Sequence, residues 1–467
     1  MKELDPLFPN FAALRAAEIA LTDRLYAVRN ASASRKAIAT GSCVAWTQEL
    51  KDIHFDRPRE LADLMNWVID GLESGIVHMT HPGHLGLFNP APTFAAECAD
   101  RIVAVFNPQI CVYSHAPAAV EIELHVIREV ARRAGLPNGS SGHFTSGGAE
   151  ANFTAVLCAL QEKCPSYGEH GLAAFTGPPV VYVSKESHMA WLKIAHATGI
   201  GRSAVRLINT DGHGRMNSNS LQEAIAADVQ QNFVPILIAA TAGTTNAGMI
   251  DPLKQCSEIA RQYGTWFHVD AAWGGALIAN DSHRDCLNGI EQADSITIDA
   301  HKWFATTMGA GMFLTTKPEI PSQAFRVNAS YMPSVEKGKD FYANSNQWSR
   351  RFVGLRLFLA LGAAGWDGYA RHVAHSIRLT NRLARQLQSR GWSLVNSSPM
   401  AVACLIPPQG CEAVQNFVQA VLEDGRFWVS EVTFEGRSVL RACVTNARTS
   451  ETDIDTLVEF LSLVQIR

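Results

Sequence analysis

The middle of the chain alternates short apolar segments with segments of helical periodicity. Runs rich in β-branched residues are typical of buried strands, whereas apolar residues three and four positions apart indicate helices. This alternation predicts a mostly parallel sheet covered by helices on both faces. Strands are predicted at Val180–Ser184, Ala204–Ile208, Ile236–Ala240, Thr265–Asp270, Ser295–Asp299 and Gly311–Thr315. The helices between them are predicted at Ala149–Lys163, His188–Thr198, Leu221–Gln230 and Leu253–Tyr263.

The two ends of the chain follow other patterns. Helical spacing of apolar residues occurs at Asn10–Val28 and Pro58–Leu72, and a long helical stretch runs from Leu355 to Gln388. Ser450 and Asp453 have the spacing of a helix-capping pair, which predicts a last helix after Ser450. Strands are predicted before it, at Trp392–Val395, Ala401–Ile406, Phe427–Ser430 and Val439–Cys443.

These patterns predict three parts. Residues 1–85 form a helical segment, residues 86–355 form a large α/β domain, and residues 356–467 form a small α+β domain. With 467 residues, of which 47% are hydrophobic, the chain has enough apolar residues for a large globular core.

Charge and cysteine content narrow the choice of partners and compartment. The net charge is −4 and basic residues form no run, so nothing favours a nucleic acid or a membrane surface as partner. The first ten residues lack the apolar core of a secretory signal. The ten cysteines are scattered without a CxxC pair, which is typical of reduced thiols. We therefore expect a cytoplasmic protein.

Residues suited to chemistry follow several of the predicted strands. A Ser-Gly-Gly turn opens a helix within 144–152 (FTSGGAEAN), and free N–H groups at a helix start favour a phosphate. His188, Asp270 and Lys302 each lie at or just after the end of a different strand. Because ligands bind outside the carboxyl ends of the strands in open parallel sheets, we expect these groups to share one crevice.

A phosphate site, an acid and a lysine together match the needs of pyridoxal phosphate. Its aldehyde reacts with a lysine amine, and its ring nitrogen stays protonated beside a carboxylate. Taken singly, the features also fit structural roles: the glycine turn as an ordinary helix start, and His188 as an ordinary residue of a helix N-terminus. Their combination is what indicates the cofactor.

Four segments, in this order and spacing, resemble the group II pyridoxal-phosphate decarboxylases, a family that includes aromatic-L-amino-acid, glutamate and cysteine sulfinate decarboxylases. The segments are TSGGAEAN, AGTT (Ala242–Thr245), HVDAAWGG and DAHKW. The resemblance extends upstream to His81–Ile102 and downstream to Val439–Ser450. It implies a fold type I enzyme that converts an L-amino acid to an amine and carbon dioxide. The enzyme is expected to be a homodimer with active sites at the interface, where the helical segment 1–85 would also pack.

The resemblance also implies roles for single residues. Lys302 forms the aldimine with the cofactor, Asp270 pairs with the ring nitrogen, and His188 stacks on the ring opposite Ala272. The remaining cofactor residues, near the phosphate or the ring, are Gly147, Gly148, Ala149, His301 and Thr245. Tyr331 protonates the substrate carbon after carbon dioxide leaves. Residues near the substrate are Phe88, Asn89 and Arg441.

The sequence departs from the animal aromatic decarboxylases at three places. Asp299-Ala300 replaces Asn-Pro, Ala149 replaces a serine of the phosphate turn, and Asn89-Pro90 replaces Pro-Thr. The last change leaves the substrate open, because Asn89 and Arg441 suit a second carboxylate as well as Phe88 suits an aromatic ring.

Three other functions compete with simple decarboxylation. Some relatives couple decarboxylation to oxidative deamination, and several of these have phenylalanine in place of the tyrosine that Tyr331 matches. Another carbon–carbon lyase reaction, or cofactor binding without turnover, would use the same cofactor residues.

A histidine series near the end of the first segment has the spacing of a metal site. It consists of His78, His81 and His84, which are three residues apart and could place metal ligands on one face of a helix. Pro82 and Gly83 disfavour that helix, and the resemblance makes this segment a substrate-pocket loop. We therefore predict no metal.

Overall fold

A seven-stranded sheet forms the centre of the computed structural model, which describes residues 7–39, 43–327 and 339–464. Its strands are β1 (Ser141–Thr145), β2 (Pro179–Ser184), β3 (Val205–Ile208), β4 (Val234–Thr241), β5 (Trp266–Asp270), β6 (Ser295–Asp299) and β7 (Gly311–Thr315). Their order across the sheet is β1-β7-β6-β5-β4-β2-β3. The strands from β6 to β3 are parallel, and β7 is antiparallel to both of its neighbours. The prediction of a mostly parallel sheet is confirmed.

The predicted strands of this sheet are all present, with ends displaced by one or two residues. Strand β1 was not predicted, because Ser141–Thr145 (SGHFT) has no apolar run. Two antiparallel steps, through β7, give β1 the same direction as β6. The turn after β1 therefore lies at the same edge of the sheet as the carboxyl ends of the parallel strands.

Helices cover both faces of the sheet. On β2, Val180 and Tyr182 enter one hydrophobic core while Val181 and Val183 enter another, as expected for a strand buried on both sides. The helices are α1 (Phe11–Asn30), α2 (Cys43–Lys51), α3 (Leu61–Gly75), α4 (Phe94–Phe106), α5 (Pro117–Ala134), α6 (Gly148–Lys163), α7 (Tyr167–His170), α8 (Ala190–Ala197), α9 (Ser218–Gln230), α10 (Leu253–Tyr263), α11 (Glu319–Phe325), α12 (Leu355–Gln388), α13 (Val414–Asp424) and α14 (Glu451–Leu463).

A second, antiparallel sheet lies in the last part of the chain. Its strands are β8 (Ser393–Leu394), β9 (Val402–Ile406), β10 (Ser430–Phe434) and β11 (Arg437–Cys443), in the order β10-β11-β9-β8. The capping pair before α14 is confirmed, since Ser450 and Asp453 bind each other's backbone N–H groups. Gly365, at φ +64°, interrupts the helical backbone of α12.

The strand predicted at Phe427–Ser430 is wrong, because β10 begins only at Ser430. Phe427 and Val429 are buried, as their apolar pattern predicts. The backbone between them bonds instead to the loop around His84: the Trp428 N–H donates to the Gly83 carbonyl and its carbonyl accepts from Leu85. The alternation of buried side chains is that of a strand, but the hydrogen-bond partners of its backbone lie in a distant loop rather than in the small sheet.

The histidine series has structural contacts in this loop. His81 Nε2 is 2.9 Å from the Arg35 carbonyl oxygen, and the His84 ring stacks on Trp428 at 4.9 Å. Within the described ranges, no helix is long and apolar enough to span a membrane. The domain limits at residues 85 and 355 stay predictions.

Candidate active site

A cavity of about 350 Å³ opens at the carboxyl ends of the parallel strands. The loops that form it follow β1, β2, β4, β5 and β6, together with the segment before α4. Residues predicted to form the site and found in its lining are Phe88, Asn89, Gly147, Gly148, Ala149, His188, Thr245, Asp270, Ala272, His301 and Lys302. The tertiary structure thus brings together residues that are spread over 215 positions, from 88 to 302.

The start of α6 offers a cradle for a phosphate. Gly148 is the first helical residue, and its N–H and that of Ala149 have no acceptor among the described residues. A side chain at position 148 would lie 3.1 Å from Asp299 Oδ2 and 3.3 Å from the Ala272 methyl group. Glycine therefore leaves the cradle open, and the positive end of the helix dipole faces it.

Asp270 is a buried acid at the end of β5. Its side chain is 5% exposed and lies in the cavity lining. Oδ2 accepts a hydrogen bond from Asn152 Nδ2 at 2.8 Å, and Oδ1 accepts one from the Ala272 N–H at 3.2 Å. Both oxygens of the side chain thus accept a hydrogen bond, which fixes its orientation in the lining.

Lys302 lies in the turn after β6 beside a second buried acid. Its Nζ is 3.0 Å from Oδ2 of Asp299, which is 3% exposed. Asp299 Oδ1 is buried and has no hydrogen-bond partner in the described part of the chain. His301 follows, with Nδ1 accepting from the Ala310 N–H at 3.2 Å. Burial lowers the pKa of His301, so its ring is neutral near pH 7 and Nε2 carries the hydrogen.

His188 precedes the first turn of α8, which begins two residues later than the predicted helix. Its Nδ1 accepts from the Ala190 N–H at 3.1 Å, so a neutral ring carries its hydrogen on Nε2. The side chain is exposed and lines the cavity. Its ring is therefore available to cover a ligand held between α6 and Lys302.

An aromatic pair forms one wall of the cavity. The rings of Phe88 and Trp273 are 4.2 Å apart, and both residues are buried in the lining. The neighbouring Asn89 is also in the lining, and its Nδ2 lies 3.3 Å from Met308 Sδ. The wall thus suits an apolar or aromatic group.

Arg441 is not in this lining. Its guanidinium donates to the carbonyl oxygens of Thr245 at 2.6 Å and Gly86 at 2.8 Å, and to Ser430 Oγ at 3.0 Å. It also lies 5.3 Å from the centre of the Phe88 ring. The geometry therefore does not support the expectation that Arg441 contacts the substrate. Arg441 instead hydrogen-bonds to the loops that contain Gly86 and Thr245, behind the aromatic wall.

We expect Arg441→Ala to lower the free energy of unfolding by about 2–4 kcal/mol, because buried carbonyl oxygens lose a charged donor. Urea unfolding followed by circular dichroism measures the change. Arg437→Ala is the matched control, since Arg437 lies on the same strand with a side chain 45% exposed. Equal, small losses for both variants would contradict this role.

One predicted residue is not placed by the structure, and one residue of the site was not predicted. Tyr331 lies outside the described residues. Asn152, which hydrogen-bonds to Asp270, lies in the glycine-rich segment, where no role was predicted for it. Its position could have indicated one, because it lies four residues after Gly148 and therefore on the same face of α6 as the open cradle.

Comparisons with known proteins agree with this geometry. Residues 47–404 match the model of the pyridoxal-dependent decarboxylase conserved domain. The chain belongs to this family. It is 29% identical to tyrosine decarboxylase 2 of Arabidopsis thaliana over 86% of this chain and 77% of the relative. It is 27% identical to aromatic-L-amino-acid decarboxylase of Bacillus atrophaeus over 84% and 82%.

A solved structure extends the match to the fold. The crystal structure of mouse CSAD superposes with a TM-score of 0.91 and 25% identity, covering 97% of this chain and 99% of that one. The fold type I prediction is confirmed, and the protein is a pyridoxal-phosphate-dependent carboxy-lyase.

The residues of the cavity fit this cofactor. The open N–H groups of Gly148 and Ala149 suit its phosphate, Asp270 suits its ring nitrogen, and Lys302 suits its aldehyde. These assignments of single groups are proposals, developed below.

Proposed function

We propose that this decarboxylase removes the carboxylate of an L-amino acid as carbon dioxide and releases the amine. The observation that carries the proposal is the meeting of Lys302, Asp270 and the N-terminus of α6 around one cavity. When bound, pyridoxal phosphate accepts the electrons of the bond that breaks. Release of carbon dioxide and amine from a panel of amino acids, measured by mass spectrometry, tests the proposal.

Each side chain has a separate task in this proposal. Lys302 supplies the amine that links covalently to the cofactor and that is displaced by the substrate amine. Asp270 would hold the proton on the ring nitrogen, with its side chain oriented by two donors. His188 and the Ala272 methyl group would hold the cofactor ring between them.

We propose that the substrate side chain is aromatic or apolar rather than acidic. Phe88, Leu87 and Trp273 supply the apolar surface of the cavity. Among the described lining residues the basic groups are His188, His301 and Lys302, which this proposal assigns to the cofactor. The guanidinium of Arg441 is occupied by carbonyl oxygens and is not free for a second carboxylate. The names of the tyrosine and aromatic-amino-acid decarboxylase relatives support the same class.

We expect Phe88→Ala to raise KM for the preferred aromatic amino acid by about threefold to tenfold, the effect of losing one aromatic contact. KM for a short aliphatic amino acid changes less, because its side chain does not reach the wall. Initial rates of carbon dioxide release measure both constants. A wild-type enzyme that prefers glutamate or cysteine sulfinate would overturn the substrate class.

We expect Tyr331→Phe to change the product more than the binding of substrate. We propose that its hydroxyl gives a proton to the substrate carbon once carbon dioxide has left. Without that donor the electron-rich carbon is exposed to dioxygen for longer, so aldehyde, ammonia and peroxide rise relative to amine. Product analysis by mass spectrometry and a peroxide assay measure the ratio. An unchanged amine yield would reject the proton-donor role.

Mixed dimers test whether Tyr331 serves the partner subunit, as we propose for a homodimer with active sites at its interface. Large apolar side chains such as Phe11, Val105 and Phe106 are exposed on α1 and α4, which supports association. A dimer of one Lys302→Ala chain and one Tyr331→Phe chain keeps a normal site only if lysine and tyrosine come from different subunits. A wild-type ratio of amine to aldehyde, from one active site per dimer, is expected. An altered product ratio would place Tyr331 in its own subunit's site.

A further inference from the structure

A line of buried polar side chains connects Asp270 to the interior of the sheet. The Trp266 Nε1–H lies 2.8 Å from Ser295 Oγ, which lies 2.7 Å from His268 Nδ1. His268 Nε2 is 3.0 Å from Asn152 Oδ1, and Asn152 Nδ2 is 2.8 Å from Asp270 Oδ2. All five side chains are at most 5% exposed. They belong to β5, β6 and α6, so the line crosses between the sheet and a helix.

The two ends of this line fix the direction of its hydrogen bonds. The indole N–H of Trp266 only donates, and the Asp270 carboxylate only accepts. Asn152 therefore presents its NH₂ group to Asp270 and its oxygen to His268. Since that oxygen only accepts, His268 carries its hydrogen on Nε2.

The middle of the line agrees with this direction. With its hydrogen on Nε2, a neutral His268 ring accepts the Ser295 hydroxyl at Nδ1. Burial lowers the pKa of His268 to about 4, which keeps the ring neutral near pH 7. Every bond in the line then points toward Asp270. Hydrogen bonds aligned in this way polarise one another, so the last donor is stronger than an isolated amide.

The burial of these polar side chains is unfavourable for stability, unless the active site needs them. Apolar side chains of similar volume would avoid the desolvation of five polar groups between the sheet and α6. The Thr297 hydroxyl also donates to Asn152 Oδ1, at 2.7 Å, so the amide cannot turn without losing several partners. The network thus fixes one orientation of Asn152.

We propose that Asn152 and His268 are positioning residues that hold Asp270 as a fixed acceptor for the ring nitrogen of pyridoxal phosphate. This inference rests on the role proposed above for Asp270. It adds that the acid is not sufficient by itself: the donor line behind it sets the direction in which its oxygens point. Neither Asn152 nor His268 reacts with substrate.

The test compares the ring-nitrogen ¹⁵N chemical shift of labelled pyridoxal phosphate bound to holoenzyme variants. Asn152→Leu removes the final donor, and His268→Phe removes the donor before it. We expect both to move the shift toward the unprotonated value and to lower kcat by about tenfold to a hundredfold, as loss of supporting partners does at other sites. KM changes little, because neither variant changes the aromatic wall formed by Phe88 and Trp273. His268→Gln, which can place an amide N–H near the position of Nε2, restores the shift in part.

Thr154→Val is the matched control, because it also removes a buried polar group from α6. Its hydroxyl donates only to the Glu150 carbonyl oxygen, and we expect a wild-type nitrogen shift. Asp270→Ala separates the two proposals. If Asp270→Ala leaves the shift unchanged, the proposed role of Asp270 fails. If Asp270→Ala moves the shift while folded Asn152→Leu or His268→Phe does not, the positioning role is overturned. The two variants change different elements, so either one decides the outcome if the other does not fold.

Discussion

Lys302→Ala is expected to lose covalent retention of the cofactor and to lower turnover by about 10²- to 10⁴-fold, the range found when a residue that moves protons in a reaction is removed. The reason is chemical: the alanine variant has no amine at the cavity to link to the aldehyde or to be exchanged for the substrate amine. Noncovalent binding persists, because the α6 cradle and Asp270 are intact. Borohydride reduction followed by peptide mapping measures the covalent link, and carbon dioxide release measures turnover.

Lys193→Ala is the control for this prediction, since Lys193 is exposed on α8 and does not line the cavity. It should keep the covalently bound cofactor, the reduced-peptide label at Lys302 and the wild-type rate. A label found on any other lysine of the wild-type protein would contradict the assignment of Lys302.

Asp270→Ala should lower kcat by about a hundredfold or more, the cost of removing a fixed charge partner from a site that excludes water. Asp270 is the only described acid of the cavity that is joined to the Asn152 donor line. Without it, the ring nitrogen has no carboxylate to hold its proton, and its capacity to accept electrons falls. Single-turnover and steady-state rates measure the loss, with cofactor saturation checked by absorbance.

Two further variants define what the Asp270 result means. Asp270→Asn keeps the shape but not the charge, so it should resemble Asp270→Ala if charge is what matters. Asp285→Asn removes an exposed acid outside the cavity and should leave kcat unchanged. A wild-type kcat in Asp270→Ala would mean that another group serves the ring nitrogen.

The core strands and the main site residues could be predicted because their signals are local. Parallel strands buried on both faces are continuous apolar runs, so β2, β4, β5, β6 and β7 are visible in the sequence. The ends of those runs place Asp270 and Lys302, and the rule that parallel strands end at one edge brings them together without coordinates. The departure at Asp299 was visible too, although its contact with Lys302 was not.

The contacts between segments far apart in the chain were decided only by the tertiary structure. Arg441 looks like a substrate residue from its motif, but its donors are taken by the carbonyl oxygens of Gly86 and Thr245. The direction of Asn152 depends on Asp270, which accepts from its NH₂ group, and on the Nε2–H of His268, which donates to its oxygen. Hydrophobic periodicity reports which face of an element is buried. It carries no information on which donor meets which acceptor, because that depends on how the elements pack against each other.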